Sequence, residues 1–402
     1  MAEVSRHPAG CQWVNRWIGL ALLLLVGACS GVGAGDTDDA GAADDTTGAI
    51  AAEPTTSTTT SADPEDYPDA IVRELRRQMS APRPVPNSAL PPRHLDTERF
   101  PELLVDRTLI VSGGRPPAGI RSIDEPTWRP PAEIEWLEPE ESVLVVEIDG
   151  VVHIYPTQIL LWHEIVNDTI GDTPVTVTYC PLCNSAVAFD RRLDDQVLDF
   201  GTSGALLHSA LVMYDRQTES LWSHFDGRSV VGDLMGAELD LIAVQTTSWA
   251  AATNRWPDAL VLDRPTGDLG RRAYGTSPYP NYEMLDEPLP GFYQSEPDPR
   301  LAARARVVGL IVDAEVLAVD RTAVVEAGVL DVAVGAKMIR LEHSNKMRSP
   351  LDDRQVSAGV DIGSISAVTI EDDGERGAAV PVLDTFWFAW AAYFPDTELH
   401  LR

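Results

Sequence analysis

The chain has 402 residues, with 62 acidic and 31 basic side chains, so its formal net charge at pH 7 is −31. Contact with nucleic-acid phosphates needs a basic face, so this composition excludes nucleic acid as the partner. The length is enough to bury one or two substantial hydrophobic cores.

Residues 1–28 are predicted to be a lipoprotein signal peptide. A basic start precedes an apolar run over residues 18–28, shorter than the roughly 20 residues that a relaxed membrane-spanning helix needs. The run ends in Val26-Gly27-Ala28-Cys29, which resembles a bacterial lipobox with Cys29 as the lipidated residue. We therefore expect a protein anchored by lipid on Cys29 to the outer face of the plasma membrane. The alternative is an ordinary cleaved signal peptide in which Cys29 is incidental.

Two segments without a core of their own follow the signal. Residues 29–68 are rich in Thr, Ala, Gly and Asp and nearly lack large apolar side chains, which predicts a disordered acidic tether. Residues 69–97 begin with apolar residues at helical spacing and continue into a Pro-rich stretch. We expect a helix and an irregular lead-in there.

The remaining chain contains an internal echo. Residues 142–160 and 306–324, offset by 164, both alternate as two strands around an Asp-containing turn, and a short helix is expected after them. Residues 248–262 and 386–401 both run from an aromatic helix through Pro-Asp into a strand. We predict two related modules from an internal duplication, 98–265 and 300–402, with a joining loop at 266–299. The alternative is coincidence among short amphipathic elements.

The expected fold class is α+β, mainly antiparallel β with short helices. Residues 173–179 alternate as a strand, and residues 211–215 and 220–225 indicate a hairpin. A further hairpin is predicted from residues 186–191 and 197–200 around Leu193-Asp194-Asp195.

The central motif is Cys180-Pro181-Leu182-Cys183. The chain has four cysteines. Cys11 lies in the signal and Cys29 in the lipobox, so this pair holds the thiols of the mature chain. A C-x-x-C pair has three readings that stay open: a redox-active dithiol, half of a metal site, and a structural or inert pair. The strand pattern after Cys183 disfavours a thioredoxin fold, because there a helix would follow the motif.

Histidines are the candidate partners of this pair. His163 is placed on a helix with Ile159 and Val166 on its face, where it is either a core histidine or a proton-transfer group or metal ligand, oriented by Glu164 or Asp168. His208 and His224 are further candidate ligands in the same module. Thiolates with imidazole suit zinc or copper(I), so the possible cofactor is Zn or Cu. At an offset of 164, Ala327 corresponds to His163, and no cysteine stands in the second module. The second module therefore lacks counterparts of His163, Cys180 and Cys183.

Three motifs carry a resemblance to a known family: WHEIVND at 162–168, TYCPLC at 178–183 and LVMYDRQTESLW at 211–222. They are similar to a bacterial and archaeal family catalogued as a domain of unknown function, over residues of about 110 to 400. The resemblance implies an extracytoplasmic, often lipid-anchored or membrane-tethered protein and gives weight to Cys180, Cys183 and His163. It also implies that His208 and His224 stand where many relatives carry Asn and Gln.

The sequence therefore predicts an extracytoplasmic lipoprotein with one thiol site, for disulfide exchange or soft-metal binding. In the exchange hypothesis Cys180 attacks, Cys183 resolves and His163 transfers a proton. In the metal hypothesis all three are ligands. The rival hypothesis is a non-enzymatic binding or structural lipoprotein in which CPLC is a rigid or disulfide-closed loop. The protein or metal partner is left open.

Overall fold

The computed structural model describes residues 104–289, 291–371 and 373–401. The predicted signal peptide, Cys29, the tether and the lead-in lie outside the described residues. Within those ranges, none of the helices has the length and apolar character to cross a membrane.

The first part of the described chain consists mainly of short strands with two short helices. Its elements run in the order β1 Ile110–Ser112, β2 Trp128–Arg129, β3 Ser142–Ile148, β4 Val151–Pro156, α1 Thr157–His163, β5 Ile165–Ile170, β6 Thr173–Cys180, β7 Ser185–Asp190, β8 Arg192–Leu193, β9 Gln196–Val197, β10 Phe200–Leu207, β11 Ala210–Asp215, β12 Leu221–Ser223, β13 Ser229–Val231, β14 Leu241–Ile242, β15 Val244–Ser248, α2 Trp249–Arg255 and β16 Leu260–Leu262.

The second part follows a long irregular segment and again combines strands with two short helices. Its elements are β17 Arg306–Val312, β18 Glu315–Asp320, α3 Arg321–Ala327, β19 Val329–Val334, β20 Lys337–Ser344, β21 Ser364–Ile370, β22 Arg376–Ala379, β23 Leu383–Phe386, α4 Trp387–Tyr393 and β24 Glu398–His400.

Apart from the two-stranded pair β8-β9, the described strands form five sheets in a ring that resembles a propeller. Their orders are sheet 1 β15-β3-β4-β16-β2, sheet 2 β14-β7-β6-β5, sheet 3 β1-β10-β11-β12-β13, sheet 4 β23-β17-β18-β24 and sheet 5 β19-β20-β21-β22. Most neighbouring strands are antiparallel. The exceptions are β16, which pairs with β4 in parallel, and β24, which pairs with β18 in parallel. Each of these two strands follows a helical crossover connection. The predicted mainly antiparallel fold with short helices is confirmed.

Apart from β2, the strands of sheets 1 and 2 correspond one by one to those of sheets 4 and 5. From β3 to β6, each strand and helix has a counterpart with the same bounds 164 residues later, ending at β20. The hairpin turns match in backbone too, since Asp149 and Asp313 both have φ 50 and are followed by Gly150 and Ala314 with positive φ. Helices α2 and α4, and then β16 and β24, match at an offset of 138. Sheet 3 has no counterpart: its strands β10 to β13 lie between β7 and β14 in the chain, whereas β21, the counterpart of β7, is followed directly by β22.

One of the predicted hairpins is wrong. Residues 186–190 pair with β6 and β14 rather than with residues 197–200, and Phe200 begins β10 in sheet 3. The real hairpin here is the two-residue pair β8 and β9. The turn around Asp194 was placed correctly, but the longer strands before and after it, β7 and β10, belong to sheets 2 and 3.

A single hydrophobic cluster extends through both predicted modules. It contains residues of sheets 1 to 3 together with the aromatic side chains of β23 and α4. Phe225 of the first part lies edge-on to Trp390 of the second, with ring centroids 6.1 Å apart. The cysteine pair belongs to this cluster, so the site is set into the core that the two parts build together.

Gly309 of β17 is required by close packing. A Cβ atom at this position would lie 2.3 Å from the ring of Trp390, which is fully buried. We expect Gly309→Ala to lower the free energy of unfolding by about 3 kcal/mol, because overpacking a filled core forces side chains and backbone apart. Urea titration at pH 7 measures it. Trp390→Leu removes the ring that the new Cβ atom would meet. The double variant should therefore lose clearly less free energy of unfolding than the sum of the two single losses. A loss equal to that sum would contradict the packing argument.

Candidate functional site

The cysteine pair lies at the tip of the hairpin formed by β6 and β7. Cys180 ends β6, Ser185 opposite it begins β7, and residues 181–184 form the turn. Asn184 closes the turn at φ 54, a left-handed conformation that Asn tolerates better than most residues. Both thiols are free and buried. The strand predicted after Cys183 is confirmed, so the motif is a strand-to-strand turn and not the start of a helix.

Cys180 is held between the turn and sheet 3. Its sulfur accepts a hydrogen bond from the backbone N–H of Leu211 at 3.3 Å, and its S–H points to the carbonyl of Ser209 at 3.8 Å. Burial raises the pKa of Cys180 well above its usual value, and the hydrogen bond and charge of the neighbouring Cys183 raise it further. At neutral pH this thiol therefore stays protonated and needs a base before it can react.

Cys183 connects through a serine to a buried histidine. Its sulfur is 3.2 Å from Ser185 Oγ, which is 2.6 Å from His224 Nε2. The other ring nitrogen, Nδ1, lies 3.1 Å from Thr178 Oγ1, whose hydroxyl also reaches the carbonyl of Val187 at 3.0 Å. A proton leaving Cys183 thus has a continuous hydrogen-bonded path to His224. We call Cys183, Ser185, His224 and Thr178 the relay.

His224 is neutral in this environment. The ring is fully buried, and burial lowers its pKa to about 3 against a weaker opposing hydrogen bond to Ser185. With its Nδ1–H donated to Thr178, its Nε2 accepts from Ser185, and Ser185 Oγ then accepts from the thiol of Cys183. In the other tautomer the donors reverse, and the Ser185 hydroxyl points at the sulfur. The relay can therefore accept a hydrogen bond from the thiol in one state and solvate a thiolate in the other.

Glu164 is a buried carboxyl whose charge interacts with that of Cys180. It follows α1 with φ 58 and ψ −32, a strained backbone conformation for a residue with a Cβ. Burial raises its pKa well above the usual value, and the charge of Cys180 adds to the rise. The counterpart after α3 is Gly328, with nearly the same backbone, φ 71 and ψ −46. Glycine is the ordinary residue for such a helix end. The backbone conformation at this position therefore does not require glutamate.

His163 ends α1, and its ring nitrogens have other partners than the thiols. Nδ1 donates to the carbonyl of Arg121 at 2.7 Å, and Nε2 lies 2.7 Å from the hydroxyl of Tyr274. Burial lowers its pKa, so the ring is neutral at pH 7. The expected helix through Val166 is wrong, because Glu164 breaks it and Val166 lies in β5. Asp168 does not orient His163 either: its Oδ2 accepts from His153 and Tyr155.

His208 lies in the turn between β10 and β11, away from the relay. Its Nδ1 is 3.3 Å from Ser295 Oγ, and its ring meets Tyr393 edge-on. Burial lowers its pKa to about 4. Of the histidines singled out in the sequence, His224 is the one that the structure links to a thiol, through Ser185. Among the described residues, no group of three or more His, Cys, Asp or Glu side chains has a geometry that could hold a metal ion.

The second part of the chain and the joining loop complete the site. The carbonyl of Cys183 accepts from Thr385 Oγ1 at 2.7 Å and from the N–H of Phe386 at 3.1 Å, both in β23. The hydroxyl of Tyr282 in the joining loop donates to the carbonyl of Leu182 at 2.8 Å. The CPLC turn is therefore clamped on one side by β23 and on the other by the joining loop.

Four members of the site were missed or misjudged from the sequence. Glu164 was considered only as a partner of His163, Thr178 and Ser185 were not considered, and His224 was treated as a metal ligand rather than a hydrogen-bonding member of the relay. One signal could have found Glu164: at an offset of 164 it stands opposite Gly328, a typical helix-ending glycine. The Ser185–His224 contact has no local signal, since 39 residues separate the two.

Comparison with known proteins adds a family to this geometry. Residues 117–397 match a family model described as a protein of unknown function, DUF3179. The comparisons with curated proteins and with solved structures return no match.

Proposed function

The chain belongs to the DUF3179 family, and we propose from the geometry of its site that it is a thiol–disulfide exchange protein acting through Cys180 and Cys183. The observation that carries the proposal is the hydrogen-bonded relay that leads from Cys183 through Ser185 to the buried His224. A second buried titratable group, Glu164, interacts electrostatically with Cys180. A pair of cysteines that only fills the core needs neither the relay nor a nearby carboxyl. The second part of the chain has Gly328, Ser344 and Met347 at the positions equivalent to Glu164, Cys180 and Cys183.

The proposed reaction oxidises the dithiol by one substrate disulfide. Glu164 takes the proton of Cys180, whose thiolate attacks one sulfur of the substrate, forming a mixed disulfide and releasing the first substrate thiolate. Cys183 then loses its proton to the first substrate thiolate, while the relay solvates the resulting thiolate of Cys183, and this thiolate attacks the sulfur of Cys180. The Cys180–Cys183 disulfide forms, and the second substrate thiolate leaves. The two protons end on the two released thiols, and the reverse sequence reduces the protein again.

Glu164 is assigned the acid–base role for a physical reason. General acid–base catalysis is most efficient when the pKa of the group lies near the operating pH, and burial moves Glu164 in that direction. The strained backbone at Glu164 stores roughly 1–3 kcal/mol that glycine would release. The site keeps a carboxyl where stability favours glycine.

We expect Glu164→Gln to slow exchange with oxidised glutathione by roughly 10²- to 10⁴-fold, the range of general acid–base catalysis. The rise of the rate with pH through the pKa of Glu164 should disappear with it. Glu164→Gly should lose the same activity yet unfold at equal or higher urea concentration, because strain is relieved. Stopped-flow thiol assays and urea titrations measure these effects. The exposed Glu135→Gln serves as the matched control.

A second readout separates this role from a structural one. The folded-state pKa of Glu164 is raised, so its contribution to stability is present below the unfolded value of about 4.5 and is lost as pH rises through the folded pKa. Glu164→Gln cannot ionise and should lose less stability than the parent as the pH rises above the unfolded value. Parallel pH profiles of rate and stability in parent and variant would contradict the assignment.

The proposal as a whole is tested on the reduced protein, purified without chelators. Titration with oxidised glutathione, followed by mass spectrometry, should show the loss of two hydrogens and an internal Cys180–Cys183 disulfide that dithiothreitol reverses. Stoichiometric zinc or copper by elemental analysis would replace exchange by a soft-metal site. A Cys180→Ser/Cys183→Ser double variant with full cellular function would favour the non-enzymatic binding or structural lipoprotein.

We place this chemistry on the outer face of the plasma membrane, with the chain anchored by lipid on Cys29. The proposal rests on the signal-like residues 1–28 and the lipobox-like Val26–Cys29. Disulfide exchange also fits a compartment in which disulfides persist. Mass spectrometry of the protein from membranes should show a diacyl- or triacyl-modified N-terminal cysteine; an unmodified mature N-terminus would overturn it.

We also infer that the two modules arose by internal duplication, with sheet 3 inserted into the first. Support comes from the constant offset of 164 over β3 to β6 and from the shared backbone of Glu164 and Gly328. In an experimental structure, superposing residues 142–180 on 306–344 should bring the two hairpin turns together; a shifted register would contradict it.

A further inference from the structure

The two thiols are covered on two sides. Cys180 is 2% exposed and Cys183 is fully buried, whereas a substrate disulfide has to meet the attacking sulfur directly. One cover is β23, which bonds to the carbonyl of Cys183 and pairs with β17 over four residue pairs. The other cover is part of the joining loop. Access to the thiols therefore requires that one of these two covers opens.

The cover from the joining loop is formed by residues 273–284, which we call the strap. The hydroxyl of Tyr282 donates to the carbonyl of Leu182 inside the CPLC turn at 2.8 Å. Tyr282 is buried in the same hydrophobic cluster as the two cysteines. Nearer the start of the strap, the hydroxyl of Tyr274 lies 2.7 Å from Nε2 of His163. The strap is thus fixed directly to the thiol turn and to the end of α1.

The outer side of the strap is attached by separate backbone bonds to residues 351–356. Three such bonds join the N–H of Ser277 to the carbonyl of Arg354 at 2.8 Å, the N–H of Asn281 to the carbonyl of Asp352 at 2.7 Å, and the N–H of Val356 to the carbonyl of Gly275 at 3.0 Å. The strap is irregular apart from one short 3-10 helix, Tyr282–Met284. Ser277 and Tyr282 are its buried residues, and the others are half-buried or exposed.

This composition decides which cover opens with the smaller free energy. A segment with few buried apolar side chains opens locally at a lower free energy than a strand in the core. Opening at β23 would break its pairing with β17 and remove the fully buried Phe386 from the core. Opening the strap breaks isolated bonds and exposes one buried aromatic ring, that of Tyr282.

We propose that the strap is a lid over the thiols and that Tyr282 is its latch. The strap moves away from the CPLC turn while β23 stays paired, and this opening admits the substrate disulfide. The inference rests on the proposed exchange reaction, for which it supplies the route of access.

Alkylation of the reduced full-length protein with iodoacetamide tests the opening, because the reagent has to reach a thiol but needs no second cysteine. The rate of the first adduct is followed by mass spectrometry. It should change little with urea below the unfolding transition, since opening a short segment exposes little surface. A rate that rises with urea as steeply as the unfolding equilibrium would show that the thiols react through global unfolding and would overturn the proposal.

Two matched variants test the latch. Tyr282→Phe keeps the ring and removes the hydroxyl, so it should speed alkylation roughly two- to tenfold, the net effect of one hydrogen bond. Tyr293→Phe is the control: it lies in the joining loop outside the strap and removes a similar bond, to the carbonyl of Phe388 at 3.2 Å. It should leave the rate unchanged. Equal acceleration in both variants would reflect a general loss of stability and would overturn the role of Tyr282.

Hydrogen exchange locates the segment that moves. The N–H groups of Ser277 and Asn281 should exchange with the opening free energy found by alkylation, whereas the N–H of Phe386, bonded to the carbonyl of Cys183 at 3.1 Å, should exchange much more slowly. Loss of protection at Phe386 together with the strap would make β23 the moving cover and overturn the proposal. Strap-controlled alkylation in a protein that oxidised glutathione does not oxidise would refute the exchange reaction and leave the lid established.

Discussion

Replacing Cys180 by serine is expected to slow the reaction with oxidised glutathione by roughly 10³-fold or more, because the attacking sulfur is lost. Cys183→Ser should still react once and then stop. Its mixed disulfide between Cys180 and glutathione cannot be resolved and should accumulate as a single adduct. Mass spectrometry of the intact protein, quenched with acid at intervals, distinguishes the two variants.

The matched control is the Cys180→Ser/Cys183→Ser double variant, which should form no adduct at all. Circular dichroism should show all three variants folded, since serine differs little in size from cysteine. If Cys180→Ser reacted at the parental rate and formed an adduct on Cys183, the two cysteines would have the reverse roles. Equal inertness of parent and variants would contradict exchange at this site.

Acid is expected to destabilise the protein through His224. Its folded-state pKa is about 3, below the unfolded value near 6.5, so its contribution to stability is complete above pH 6.5 and is lost as pH falls towards 3. The loss by linkage is of the order of 5 kcal/mol over that interval. This is a large share of the 5–15 kcal/mol that holds a typical domain folded.

The measurement is the free energy of unfolding in urea at pH 7, 5 and 4. His224→Gln keeps an amide in the relay but cannot take up a proton, so its stability should fall less steeply over this range. His208→Asn should flatten the curve by a smaller amount, because the pKa of His208 is lowered less, to about 4. Identical acid slopes in the parent and His224→Gln would show that the ring is not the group that titrates.

The hairpins and the thiol turn could be predicted because their determinants are local. Alternating apolar and polar side chains predict strands. Turns such as Asp149-Gly150 are recognised by residues that tolerate positive φ. The strand after Cys183 followed from the same pattern. This was enough to place the two cysteines together at a hairpin tip and to set aside a thioredoxin fold.

The hydrogen-bond partners of the thiols could not be predicted, because the residues that form the site lie far apart in the sequence. Ser185 and His224 meet across sheets, and His163 is satisfied by Tyr274 from the joining loop, 111 residues away. Burial then decides what each group does: it keeps His224 neutral and makes Glu164 a weak acid. Phe200 shows the same limit for the fold, since its local pattern fits a hairpin but its partners lie in sheet 3.

The bonds from β23 to the carbonyl of Cys183 have a consequence for the timing of assembly. Thr385 lies 202 residues after Cys183, so the clamp on the turn cannot close until nearly the whole chain has left the ribosome or the export channel. Until then the carbonyl of Cys183 lacks both of its partners from β23. The last strands thus fix the position of the turn only at the end of synthesis. A chain truncated before β23 should emerge with cysteines open to cross-linking.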